Sequence, residues 1–181
     1  MEFVYELRIP KERIAVLIGK EGNIKKEVET TTKTKIKIDS KEGDIFISGE
    51  DGLGLYNARE VIKAIGRGFN PDVAGLLLKP DYVFEMVNIS DYTKKSRDNM
   101  VRLKGRVIGS EGKCRKLIEK LSECYISVYG KTVSIIGTNE SASVARHAVE
   151  ALLGGSTHAN VYKWLEKRRR EIKRTKILES I

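Results

Sequence analysis

The sequence predicts an α+β fold in which two copies of one module each set a helical layer on a single sheet. Three observations carry that reading. Gly19-Lys20-Glu21-Gly22 recurs ninety positions later as Gly109-Ser110-Glu111-Gly112. Each follows an apolar stretch, Val16-Leu17-Ile18 or Arg106-Val107-Ile108, and stands two residues before Ile24 or Cys114. Helix-like and strand-like periods interleave without a long βαβ series, which favours one sheet and one helical layer. Sixteen glycines make a lone pair uninformative, but two pairs in matching surroundings mark a duplication.

Each copy reads as strand, helix, Gly-x-x-Gly, helix, strand, strand, helix. Phe3, Tyr5, Leu7 and Ile9 alternate with polar positions, which predicts a half-buried first strand. The offset before the glycines is eighty, pairing Ile9 with Ile89, so the second copy carries ten extra residues around Ser90–Asn99. An offset of ninety then carries Val28 onto Ile118, Ile36 onto Ile126 and Ile38 onto Val128. Lys35-Ile36-Lys37-Ile38 alternates as a strand. A turn at Ser40–Gly43 loses two residues in the second copy, after which Ile45 matches Val133 and Gly49 matches Gly137. Leu55, Ala58, Ile62 and Ile65 form one helical stripe, as do Val144, Ala148, Ala151 and Leu152. The domains are therefore expected at 1–68 and 81–155. Residues 69–80, rich in apolar side chains at Val73-Ala74-Gly75-Leu76-Leu77-Leu78, are expected to form a packed linker rather than a flexible one. Residues 156–181 are expected to form a basic C-terminal helix with Val161, Leu165 and Ile172 on one side and Trp164 as an anchor.

The glycine pair has its own chemistry. Without a Cβ, two glycines let another backbone approach closely. The loop opens a helix, whose free N–H groups and positive dipole end attract phosphate. Lys20 favours phosphate, Ser110 can donate a hydrogen bond, and Glu21 and Glu111 each place a carboxylate beside the phosphate path, where salt screens it.

Ile-Gly-x-x-Gly between two helices, followed by two strands and a longer helix, resembles the type I KH domain, over residues 2–68 and 81–155. The resemblance implies an antiparallel three-stranded sheet with three helices on one face, and single-stranded nucleic-acid binding. KH modules clamp about four nucleotides by their backbone at this loop and leave the bases to an apolar groove. That assigns Ile18, Gly19, Lys20, Glu21, Gly22, Asn23, Ile36 and Ile38 in the first copy, with Ile24 beside them. In the second it assigns Val107, Ile108, Gly109, Ser110, Glu111, Gly112, Ile126 and Val128, with Leu117. Some of these apolar residues must be core rather than groove. The tandem architecture with a basic tail is similar to the archaeal ribosome-assembly members of the family. Their eukaryotic counterparts partner the PIN-domain endonuclease that trims the 3′ end of small-subunit rRNA. The partners so implied are single-stranded RNA, small-subunit rRNA in particular, and a PIN-domain endonuclease or another ribosome-assembly or translation factor.

Charge distinguishes the copies. The chain has 34 Lys plus Arg against 25 Asp plus Glu, a net of +9. Residues 1–70 hold thirteen basic and twelve acidic residues, 81–155 twelve and nine, and 156–181 eight and three. Lys94, Lys95, Arg97, Arg102, Lys104, Arg106, Lys113, Arg115 and Lys116 crowd around the second loop, which makes the second copy the expected main RNA site. Arg168, Arg169, Arg170 and Lys173 of the tail either touch phosphate or only pack by their stems, and the two are compatible.

Nothing points to an enzyme, a metal or a cofactor. His147 and His158 lack metal-ligand spacing, Cys114 and Cys124 form no C-x-x-C, and a Walker loop fails at Val107 and Cys114. No signal peptide or membrane-length apolar run is present, so a cytoplasmic protein is expected. Charged residues make up 33% and glutamine is absent, a thermophile-like composition. Two other functional classes remain open: a general mRNA- or ssDNA-binding KH regulator, or a protein-interaction scaffold docking through the low-charge first domain.

Overall fold

A computed structural model describes residues 3–93 and 96–180. The chain divides into two units, Met1–Tyr82 and Val83–Ile181.

The first unit runs β1 (Phe3–Arg8), α1 (Lys11–Ile18), α2 (Asn23–Thr32), β2 (Lys35–Asp39), β3 (Asp44–Gly49), α3 (Gly52–Gly66) and a short α4 (Pro71–Ala74). Its sheet has the order β1-β3-β2, antiparallel throughout, with Leu7 opposite Ile45 and Ile36 opposite Ile47. The period-two pattern of β2 and β3 places Ile36, Ile45 and Ile47 on the inner face. There they are buried with Leu17 of α1, Val28 of α2 and Ala58, Ile62 and Ile65 of α3. Asp51 starts α3 by accepting from the N–H groups of Leu53 and Gly54. At its other end, Arg13 of α1 donates from Nε to the Ile65 carbonyl and from Nη2 to the Phe69 carbonyl, both at 2.7 Å.

β1 departs from the expected half-buried strand. Phe3 is 50% and Tyr5 37% exposed. The strand lies at the sheet edge, and over Tyr5 stands the Arg59 guanidinium, 5.0 Å from the ring centroid, rather than an apolar helix face. Period two fixes which side chains share a face, not whether a helix covers that face.

Residues 69–80 fold onto the first unit. Asn70 caps α4 through Val73 N–H at 2.9 Å, a 3-10 turn follows at Gly75–Leu78, and Ala74 and Leu77 are buried where this segment meets α3.

The second unit repeats the order as β4 (Tyr82–Asn88), α5 (Arg97–Ile108), α6 (Lys113–Ser122), β5 (Tyr125–Tyr129), β6 (Thr132–Thr138) and α7 (Asn139–Leu153). Its sheet order is β4-β6-β5. Ile126 faces Ile135 and Val128 faces Val133, in the places of the Ile36–Ile47 and Ile38–Ile45 pairs. The inserted residues form a 3-10 turn at Ile89–Tyr92 and lengthen α5 at its start, to 12 residues against 8 in α1. Lys94 and Lys95 lie outside the described residues. The aligned Ile9 and Ile89 are both buried and make the same closing bond, donating to the carbonyls of Gly43 at 3.1 Å and Lys131 at 2.9 Å.

α8 (His158–Glu179) is the basic helix the sequence predicts, and it packs on α6 and α7. Val161 and Leu165 join the core of this unit, and the Trp164 ring lies 4.3 Å from that of His147.

Candidate nucleic-acid interface

The two Gly-x-x-Gly loops have one backbone. Gly19 and Gly109 both stand at φ 72°, Glu21 and Glu111 both at φ 54°, and Gly22 and Gly112 at 77° and 74°. The following residues, Asn23 and Lys113, are already helical. Each loop therefore turns through left-handed conformations and delivers the chain to the start of α2 or α6. Glu21 and Glu111 adopt positive φ despite carrying a Cβ, at a cost of about 1–2 kcal/mol each.

The two glycines of each loop do different work. A Cβ on Gly19 would stand 2.3 Å from Asn23 Oδ1 and 2.4 Å from Ile24, and one on Gly109 would stand 2.7 Å from Cys114. The first glycine is thus needed so that the loop can close on the next helix. A Cβ on Gly22 or Gly112 would meet only the Cε of Lys26 at 4.0 Å or of Lys116 at 3.8 Å. Nothing inside the protein requires that position to be bare. Positive φ does not exclude a side chain either, since Glu21, Lys33, Glu111 and Glu123 all adopt it. The bare second glycine leaves its outer side clear for an incoming backbone.

The expected groove residues separate into two groups. Ile36 at 1% exposure, Val107 at 0% and Ile126 at 2% belong to the core, not to a groove surface. The reason is the alternation itself: Ile36 and Ile126 are the inward residues of β2 and β5, and Val107 faces inward one turn from Leu103 on α5. Ile18, Ile24 and Ile38, and Ile108, Leu117 and Val128 in the second copy, are half-buried and keep some surface. Leu117 and Val128 also pack on the core cluster.

The basic residues divide similarly. Arg106, half-buried, is tied to the protein's own backbone: its Nε donates to the Leu152 carbonyl at 3.1 Å and its Nη2 to that of Ser156, closing the end of α7. Arg115 donates to the Ile126 carbonyl at 3.0 Å and pairs with Glu119. Arg102, Lys113 and Lys116 are exposed and Lys104 half-exposed. Lys113 also lies 3.6 Å from Glu111, so the loop carboxylate has a cation beside it in the second copy, where the first copy has Asn23. On α8, Arg168 pairs with Glu171 at 3.3 Å, while Arg170 and Lys173 are exposed. Arg169 turns instead into a small cavity with Leu121, Ser122 and Glu123, its Nε buried, so it packs rather than projects.

A cleft of about 470 Å³ opens on the α8 side of the second loop, bounded by Arg102, Gly109, Ser110, Lys113, His158 and Tyr162. His158 Nε2 lies 2.8 Å from the Arg106 carbonyl oxygen, tying α8 to the end of α5. Burial pushes the Cys114 thiol up, and burial together with a hydrogen bond to Cys114 pushes the Tyr162 phenol up to about 12.

Sequence reasoning missed Glu29 and Glu119. Each carboxylate accepts from the strand across from its helix, Ile36 N–H at 2.7 Å and Ile126 N–H at 2.8 Å. The signal was available, since both residues of each pair repeat at the offset of ninety.

Comparison with known proteins follows this geometry. Residues 83–170 match a model described as eukaryotic type KH-domain (KH-domain type I), and residues 4–64 match a KH domain model. The KH domain-containing protein MJ0443 of Methanocaldococcus jannaschii is 49% identical over 94% of this chain and 76% of its own. RNA-binding protein pno1 of Dictyostelium discoideum is 27% identical over 89% of this chain and 70% of its own. The crystal structure of the a/eIF2alpha–aDim2p–rRNA complex from Pyrococcus horikoshii OT3 contains a chain 44% identical to this one. It superposes with a TM-score of 0.87 and covers 94% of this chain and 96% of that one.

Proposed function

This chain belongs to the KH-domain family, as a homologue of the archaeal Dim2 and eukaryotic PNO1 proteins, and from that we propose that it binds single-stranded RNA during ribosome assembly. The RNA is small-subunit rRNA, in its 3′-end region. The observation that carries the reading is the second glycine of each loop, bare on its outer side and set at a helix start. A phosphodiester backbone can approach there to the distance that free N–H groups need. The second copy is the principal site, because Arg102, Lys104, Lys113 and Lys116 stand around its loop. Ile18, Ile38, Ile108 and Val128 supply the apolar surface for bases, and Arg168, Arg170 and Lys173 extend the positive field along α8.

The chain acts as a binding module rather than a catalyst, and we assign it to the cytoplasm. Among the described residues no helix is long and apolar enough to cross a membrane. The Pyrococcus relative was crystallised with a/eIF2alpha as well as rRNA, which supports a translation or assembly factor as protein partner, with a PIN-domain endonuclease as the other candidate. Fluorescence anisotropy against single-stranded oligonucleotides of the rRNA 3′ end tests the reading. Salt-sensitive binding that prefers these over unrelated single strands is expected. Uniform affinity for all single strands would make it a general KH regulator instead.

A further inference from the structure

β5 is an edge strand, so the backbone groups along its outer side have no neighbouring strand to bond. At Ile126 both are taken by side chains of α6. The N–H donates to Glu119 Oε1 at 2.8 Å, and the carbonyl accepts from Arg115 Nη1 at 3.0 Å. Arg115 and Glu119 stand one helical turn apart and 3.6 Å from each other, and their side chains remain 35% and 23% exposed. The first copy repeats the device with Glu29 on Ile36 N–H and Lys25 3.7 Å from Glu29. α6 leaves the Gly-x-x-Gly loop and β5 lies across from it. A base whose backbone is held at the loop and whose edge reaches β5 therefore meets a guanidinium beside a carboxylate, not a bare strand edge.

We infer that Arg115 and Glu119 are the base-discriminating pair of the second copy and that they select guanine; the inference rests on the RNA-binding reading above. A carboxylate only accepts and a guanidinium only donates. Guanine presents on one edge an acceptor, O6, followed by two adjacent donors, N1–H and the N2 amine. The donors match the two oxygens of a carboxylate, and O6 matches an arginine N–H. Adenine and cytosine offer one donor group beside acceptors, and uracil one donor between two acceptors. A carboxylate has about four lone-pair sites and arginine five donors, so both can serve a base while still holding Ile126. In the first copy Lys25 replaces the planar fork by a point charge, so discrimination there is weaker.

The test uses the whole chain and eight-nucleotide oligouridine probes carrying one central guanosine, inosine, adenosine or no replacement, read by fluorescence anisotropy at fixed salt. The guanosine probe is expected to bind about ten-fold more tightly than the adenosine or plain probe, and inosine, which lacks the N2 amine, to lose most of that advantage. Glu119→Gln should abolish the guanosine preference, because its amide oxygen still accepts from Ile126 while its NH2 opposes the guanine donors. Arg115→Lys should reduce the preference to the level of a point charge. Equal binding of guanosine, inosine and adenosine probes by the unchanged protein overturns the inference without any variant. So does a full guanosine preference in Glu119→Gln with a native melting curve. Failure of these probes while the rRNA 3′-end oligonucleotides still bind overturns the inference alone; failure of both sets at low salt removes the RNA-binding reading, and this inference with it.

Discussion

Arg13 and Arg106 hold equivalent carbonyls from positions one helical turn apart. Arg13 bonds Ile65 and Phe69, and Arg106 bonds Leu152 and Ser156, in each case Nε to the first and Nη2 to the second. The acceptors match at an offset of eighty-seven. The donors do not, since the loop offset of ninety carries Arg13 onto Leu103 and Val16 onto Arg106. In each copy the first acceptor lies in the last turn of α3 or α7, where carbonyls lack an intrahelical partner, and the second lies three residues beyond the helix end.

Removing Arg106 should therefore cost stability more than affinity. Hydrogen bonds from a charged donor contribute about 1.5–3 kcal/mol each where they are part-buried. Arg106→Met should lower the unfolding free energy by about 2 kcal/mol in a urea titration and change RNA affinity less than Lys113→Ala does. A larger affinity loss for Arg106→Met with unchanged stability would restore it as a phosphate contact.

Gly109 and Gly112 should respond oppositely to the same alanine. At Gly109 the new Cβ would stand 2.7 Å from the backbone nitrogen and Cβ of Cys114. Overpacking and positive φ together predict a loss of about 3 kcal/mol. Gly112→Ala, at φ 74°, should cost about 1 kcal/mol and leave a cooperative thermal transition, yet weaken RNA binding because its methyl group would stand in the way of the incoming backbone. Paired melting and anisotropy curves for the two variants separate the cases.

The second loop should dominate binding. Replacing Ser110 and Glu111 by two aspartates should lower affinity more than the same change at Lys20 and Glu21, with circular dichroism confirming both folds. Each phosphate neutralised contributes roughly −0.7 to the log–log salt slope for single strands. Arg168, Arg170 and Lys173 changed together to alanine should flatten that slope, whereas Arg169→Ala should lower stability and leave the slope alone. A greater loss for the Lys20/Glu21 variant would move the main site to the first copy.

Cys124 should be silent to thiol reagents in the native protein. Burial pushes its thiol up to about 11, so at pH 8 little thiolate exists and access is poor. A folded pKa above the unfolded value of about 8.5 contributes stability that is complete below that value. It is lost as pH rises through about 11. Urea titrations from pH 8 to 11 should show a shallower decline in Cys124→Ala than in the parent, and rapid native-state alkylation at pH 8 would contradict the assignment.

The legible features were local or repeated. Gly19–Gly22 and Gly109–Gly112, the alternation of β2, and the stripes of α3 and α7 all follow from short-range periods, and the duplication printed the loop and the helical stripe twice. The arginine caps were hidden because their partners lie more than forty residues away and the two copies use different registers. Apolar residues next to the loop looked like groove surface, and only the strand pairing showed Ile36 and Ile126 pointing inward. Arg106 and Arg169 read as phosphate ligands by their neighbours in sequence, although a long side chain can as readily reach a carbonyl or a crevice.

The two copies share one fold but are closed by pieces of unlike length, a four-residue helix with a 3-10 turn in the first and a 22-residue helix in the second. α4 and its 3-10 turn, which follow residue 68, add two buried residues, Ala74 and Leu77, to the first, and α8, which follows residue 155, adds Val161 and Leu165 to the second. Cutting the chain at residues 68 and 155, the matching ends of the two copies, would thus strip both, leaving a sticky apolar seam along α3 in the first and along α6 and α7 in the second. The repeated unit thus stops short of its own shelter from water, and in each copy the segment that follows has to supply it.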